Sequence, residues 1–155
     1  MTTTHVATLV DLKTLTGQVL GTSSWIEIPQ QRIDAFAEST EDRQWIHVDP
    51  DRAVREGPFG GPIAHGYLIL SLVIPMWNEV LTVDEVTMAV NYGLNRVRFT
   101  QPVPAGSRVR LKATLDAMED LPKGGGAQLT VGGVIEIEGV DRPAVVLEAI
   151  YRFLV

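Results

Sequence analysis

From about Pro29 to residue 85 the apolar positions recur at helical spacing, and beyond it they alternate. In "PQQRIDAFAEST", Ile33, Phe36 and Ala37 fall at i, i+3 and i+4, and Pro29 suits a first helical position. A helix is expected from about Pro29 to Ser39. The stretch "DPDRAVREG" predicts a short second helix that Asp49 or Pro50 opens and Gly57 ends. Between the two, the segment carrying Asp42 and His47 reads as a loop. After the bend "GPFGGP", the run "IAHGYLILSLVIPMWNEV" is apolar on nearly every side, as in a helix enclosed by other elements. Pro75 should kink or end it toward its C-terminal part, because proline removes a backbone donor and clashes with the preceding turn.

From Val86 onward, Val97 and Phe99 alternate with Arg96 and Arg98, and Val109 and Leu111 with Arg108, Arg110 and Lys112. That is the pattern of strands with one buried and one wet face. Turn signals at "QPVPAG", "LPKGGGA" and "EGVDRP" separate about four antiparallel strands in a meander, with "GQVLGTSSWIEI" as a fifth. The elements together predict an α+β fold, an antiparallel sheet wrapped around a central buried helix, in one domain spanning residues 1–155.

Charge narrows the choice of partners. With 13 basic and 19 acidic side chains, the net charge of −6 opposes nonspecific binding to nucleic acid or anionic lipid. No cysteine is present, which excludes disulfides, thiolate nucleophiles and cysteine-ligated metals. The start "MTTTHVATLV" lacks the basic and apolar regions of a secretory signal. The longest apolar run falls short of the roughly 18 residues of a membrane helix. A cytoplasmic protein without membrane or nucleic-acid partners is expected.

Three constellations carry candidate chemistry. Asp42 and His47 pair a carboxylate with an imidazole, groups able to hold and deprotonate one water; spacing alone favours a capping aspartate and a packed histidine. In "GGPIAHGYLIL", a glycine-rich loop feeds the apolar helix, whose first N–H groups lack internal acceptors and can stabilise an oxyanion. Gly66 suits that role, or simply close helix packing, and His65 is better read as structural than as catalytic. Finally, Val86–Leu115 holds Arg96, Arg98, Arg108, Arg110 and Lys112 and no acidic residue, so strand faces there could attract phosphates or be plainly solvated. His5, His47 and His65 show no short zinc spacing, nucleotide-loop and hydrolase-elbow motifs are absent, and no metal or redox cofactor is implied.

Two blocks, in this order, resemble the MaoC-like, (R)-specific enoyl-CoA hydratases of the hot-dog fold. The family motif D-x-N-P-[aliphatic]-H, followed after five residues by a small side chain, is matched by Asp42-Arg43-Gln44-Trp45-Ile46-His47 and then Ala53. A proline-aliphatic-small-His-Gly block is matched by Pro62-Ile63-Ala64-His65-Gly66. The resemblance implies reversible addition of water to a trans-2-enoyl thioester, giving the (R)-3-hydroxyacyl thioester. Asp42 would act as general base on the water, His47 would orient it and pass a proton toward C2, and the Gly66 N–H would hold the thioester oxygen. It further implies a homodimer, with coenzyme A entering only as part of the substrate and no other cofactor. Gln44, Trp45, Ala64, His65, Tyr67, Arg96 and Arg98 are the candidate substrate contacts, the arginines toward coenzyme A phosphates. Phe59 and Trp77 are candidates to shape the acyl pocket. Gln44-Trp45 departs from the family's Asn-Pro, and Ile74 stands near the place where some relatives carry an assisting serine, so that role is not transferred to Ser71. Two alternatives remain open: a hot-dog acyl-CoA thioesterase, and a noncatalytic acyl-thioester binding protein.

Overall fold

A computed structural model describes all of residues 1–155. The alternating second half forms four long strands, β5 (Met88–Phe99), β6 (Arg108–Asp120), β7 (Gly126–Ile137) and β8 (Val145–Leu154). Their inward residues, such as Leu111, Leu115, Leu129, Ile135 and Val145, are almost fully buried. The segment "GQVLGTSSWIEI" supplies two short strands rather than one, β2 (Val19–Thr22) and β3 (Ile26–Glu27), both antiparallel to β6. Ser23 between them bonds across to Leu111, its Oγ accepting from the Leu111 N–H.

The order along the sheet is β2-β6-β7-β8-β5. Only β6, β7 and β8 form the expected meander; β5 lies at the far edge against β8. The reason is the connection "TQPVPAGS", which crosses the end of the sheet instead of turning back. Thr100 N–H donates to Ala144 O, and Val103 and Ala105 pair with the chain at Ala64 and Pro62. This crossing becomes a wall of the candidate site. Register shifts between Asn91 and Gly93, Leu94 and Arg96, and Leu115 and Ala117 curl the sheet.

The helical first half holds α2 (Gln30–Thr40), α3 (Trp45–Val48) and α4 (Pro50–Glu56), followed by α5 (Gly66–Ser71) and α6 (Val73–Val80). The expected helices at Pro29–Ser39 and after Asp49 are α2 and α4, with Pro29 and Asp49 as their N-caps. The expected loop at Asp42–His47 contains the single turn α3. The long apolar helix breaks at Leu72, three residues before Pro75 and earlier than expected. Pro75 has no N–H for the Ser71 carbonyl, so the ladder fails one turn upstream of the proline itself. Residues 4–6 (β1) pair in parallel with residues 81–83 (β4), and a short helix, α1 (Leu9–Lys13), follows β1.

The sheet covers one face of α5 and α6. Leu68, Ile69, Val73, Met76, Trp77 and Val80 are buried, and the Trp77 ring stacks on Tyr151 at 5.0 Å, where burial pushes the Tyr151 hydroxyl up to about 12. The opposite face, with Tyr67, Ser71, Ile74 and Asn78, is exposed, so within this chain the apolar helix is enclosed on one side only.

Candidate active site

The site is built where α2 stops. Glu41 caps α2 in the left-handed conformation (φ 62°), which a non-glycine residue adopts at a cost, and the chain turns sharply into Asp42. Arg43 turns away to pair with Glu38, leaving the Asp42 side chain exposed. Three residues on, α3 begins. Its His47 is buried, and its backbone carbonyl is held by the Gln30 amide of α2 at 2.6 Å. Asp49 ends α3 and caps α4 through Arg52 N–H, which places the small Ala53 in the core at 1% exposure.

Two hydrogen bonds to backbone carbonyls fix the two imidazoles. His47 Nδ1 lies 2.7 Å from Ile63 O, so Nδ1 carries the hydrogen and Nε2 keeps its lone pair. The Ile63 N–H donates in return to Ile46 O. His65 Nε2 lies 2.9 Å from Asp42 O and is likewise the donor, while its Nδ1 is buried without a partner. The rings stack with centroids 3.9 Å apart. Burial lowers His47 below its ordinary 6.5; the Ile63 carbonyl and Asp42 oppose this without offsetting it, and His65 adds to the lowering. His47 is therefore a neutral base at pH 7.

His65 caps α5, whose first residue is Gly66. As the first helical residue, Gly66 has an N–H without an intrahelical acceptor. A Cβ at this position would stand 3.0 Å from the Phe99 ring, so close packing also demands the glycine. His47 and Gly66 both line one cavity of about 290 Å³, together with Ala64, Ile69, Phe59, Phe99 and the crossing segment Thr100–Val103. The wall is mostly apolar with a few converging polar groups, the usual make-up of a small-ligand site.

Asp42 and His65 adjoin His47 without lining this cavity, and the other sequence candidates lie elsewhere. Gln44 is exposed at the start of α3, and the Trp45 ring packs under the Arg52 guanidinium at 4.5 Å; neither lines the cavity. Tyr67 is 68% exposed and meets Phe99 edge-on, lining a separate shallow groove with Ile74 and Leu94. Trp77 is core. Ser71 donates to Tyr67 O within its own helix. Arg96 and Arg98 sit on the outer face of the sheet, opposite Glu148 and Val146, whereas the cavity is lined by the inward Val145. The apparent basic face is largely neutralised there: Arg108 pairs with Glu138, Arg110 with Glu136 and Arg96 with Glu148. Those carboxylates lie on neighbouring strands or, for Glu138, just past the end of β7, so no window of the sequence displays them together with the arginines. Thr100–Val103, Ala144 and Val145 were not legible as site residues. The two prolines of "QPVPAG" were the available signal, marking a rigid connection rather than a tight hairpin turn.

Ligating atoms of Asp42, His47 and His65 lie within 4.8 Å of one another. A zinc ion sits about 2.0–2.1 Å from each histidine nitrogen, close to each ring plane. The two rings are stacked 3.9 Å apart, which sets their in-plane lone pairs side by side, and the carbonyl bond each ring makes through its other nitrogen restricts its turning toward a shared ion. The arrangement suits a water and a polarised acyl group better than a metal.

The chain belongs to the MaoC like domain family, which matches residues 11–133. It is 47% identical over 146 residues to 3-hydroxyacyl-thioester dehydratase Z of Mycobacterium tuberculosis, covering 94% of this chain and 95% of that protein. Nodulation protein N of Rhizobium leguminosarum bv. viciae is 46% identical over 142 residues, covering 90% of this chain and 87% of that one. Among solved structures, the (R)-hydratase from A. caviae involved in PHA biosynthesis superposes with a TM-score of 0.67 at 25% identity, covering 86% of this chain and 95% of its own. The fold is the MaoC-type hot dog, an antiparallel sheet around a helix.

Proposed function

We propose that the chain is an (R)-specific enoyl-CoA hydratase, adding water reversibly to a trans-2-enoyl thioester. The observation that carries this reading is the convergence of the His47 imidazole and the free helix-start N–H of Gly66 on one small, mostly apolar cavity. Asp42 and His47 accept the two hydrogens of one water. As the water oxygen bonds to C3, electrons of the C2–C3 double bond move into the thioester carbonyl, whose oxygen the Gly66 N–H stabilises. The His47 Nε2 lone pair takes the proton released, since its Nδ1–H is committed to Ile63 O. That proton then goes to C2 as the enolate collapses. Asp42 orients the water and balances the transient imidazolium, so the base in this reading is His47, where the resemblance implied Asp42. The cycle needs no metal or redox group.

A second copy of the chain is the partner this reading implies. The outer edge of β5 is unpaired, and Met88, Val90, Tyr92 and Leu94 on it are exposed beside the open face of α5 and α6. Such an edge calls for cover. Equilibrium sedimentation should give a dimer, and a monomer at micromolar concentration would remove this part.

For the activity, purified protein is mixed with crotonyl-CoA, loss of enoyl-thioester absorbance is followed, and the alcohol is resolved on a chiral column. The (R)-alcohol is expected. Faster release of free coenzyme A from butyryl-CoA would instead make the site a thioesterase, and tight binding without turnover would make it a binding protein.

A further inference from the structure

We propose that His65 is a positioning residue that ties the water-activating loop to the thioester-binding helix. This inference rests on the hydratase reading above for its kinetic part. Three contacts converge on this single buried side chain, which is 2% exposed. Its Nε2–H fixes the Asp42 carbonyl at 2.9 Å, immediately after the left-handed turn at Glu41. Its ring lies against His47 at 3.9 Å, backed on another side by Phe36 at 5.1 Å. Its own backbone caps α5, so the next N–H along the chain is that of Gly66.

Packing against His47 and Phe36 could be met by an apolar ring such as phenylalanine. What an apolar ring cannot supply is the N–H for Asp42. The loop carrying Asp42 and the helix carrying Gly66 are 23 residues apart in sequence at this contact. A sub-ångström shift of either displaces the water from C3, and misplacement of about 1 Å costs roughly 10²-fold in rate.

Two variants separate the parts. His65→Phe keeps a flat ring against His47 and loses the donor; His65→Gln restores a donor able to reach Asp42 O and loses the ring. With crotonyl-CoA, His65→Phe should lower kcat about 10–100-fold with KM changed only a few-fold, and His65→Gln should recover most of that loss. The His47 imidazole is followed in parallel by nitrogen NMR through a pH titration, a readout that needs no turnover. Its titration should move upward in both variants, since neither retains the neighbouring imidazole. Wild-type kcat in His65→Phe, or equal losses in both variants, would overturn the proposal. If wild type itself is inert on crotonyl-CoA and a longer enoyl-CoA, the hydratase reading fails. The structural part is still decided by NMR: the Asp42 and Gly66 amide signals should shift together in His65→Phe and return toward wild type in His65→Gln, and amide signals unmoved in His65→Phe end the proposal.

Discussion

Two concave regions of this molecule hold titratable groups beside a closely packed glycine, and they differ in what surrounds the charge. On the inner side of the sheet, His47 and His65 are buried, each held by one backbone carbonyl, and Gly66 meets the Phe99 ring. On the outer side, Arg96, Arg98, Lys112, Asp116 and Glu148 line a groove of about 590 Å³ over Gly132, whose Cβ would meet the Asp116 carboxylate at 2.5 Å. Charges of both signs mingle there, open to water, and burial followed by Glu148 raises the Asp116 carboxyl above its usual range. The larger hollow is thus a surface between strands, while the smaller one fixes a tautomer and presents a helix-start N–H. Functional sites are recognised by fixed orientation and converging donors more than by volume or charge count.

The strongest way to break the contrast is to remove the inner groups. Asp42→Asn and His47→Ala should each reduce turnover of crotonyl-CoA by at least about 10²-fold, measured by enoyl absorbance. Near-wild-type rates in both would leave the two regions equivalent.

The glycines sharpen it next. In Gly66→Ala the added methyl presses on the Phe99 ring and moves the adjoining N–H, so kcat/KM should fall about tenfold, less than the roughly 10²-fold of losing an oxyanion donor outright. Gly132→Ala displaces Asp116 and should leave kcat/KM unchanged even if Tm drops.

Acidity acts on the inner site through His47. Its folded pKa lies below the unfolded value of about 6.5, so the unfolded chain gains this proton first as pH falls. The His47 contribution to stability is therefore whole above pH 6.5 and is lost as pH drops from there toward the folded pKa. Urea midpoints at pH 7 and pH 5.5 should differ in that direction, and the acid limb of kcat/KM should lie below pH 6.5. An acid limb at or above pH 6.5 would contradict the burial assigned to His47.

The smallest effects are expected outside. Arg98→Ala and Arg108→Ala should shift stability within about 0.5 kcal/mol and leave the KM for crotonyl-CoA unchanged. A several-fold rise in KM would bring the outer face into substrate binding.

Period and turn chemistry made much of this legible. The alternation after Val86 located the long strands, and the apolar run after Gly66 located the central helix. The Asp42–His47 spacing and the His65-Gly66 pair pointed to elements that do meet in space. What failed was information carried between distant segments. The acidic partners of Arg108 and Arg110 lie just past the end of β7 and on β7, 30 and 26 residues away, so a neutralised face looked basic. The crossing at Thr100–Val103 is specified by bonds to Ala144 and Ala64, which no local pattern reveals. Trp45 looked like a pocket residue because it adjoins His47 in sequence, yet the turn of α3 sends its ring to Arg52.

The most direct test is a crystal structure of Asp42→Asn soaked with crotonyl-CoA. The account predicts the acyl group in the cavity between Phe59 and Phe99, with its carbonyl oxygen about 3 Å from Gly66 N and C3 facing His47 Nε2. An acyl group bound instead in the outer groove among Arg96, Arg98 and Lys112, with the inner cavity vacant, would contradict it.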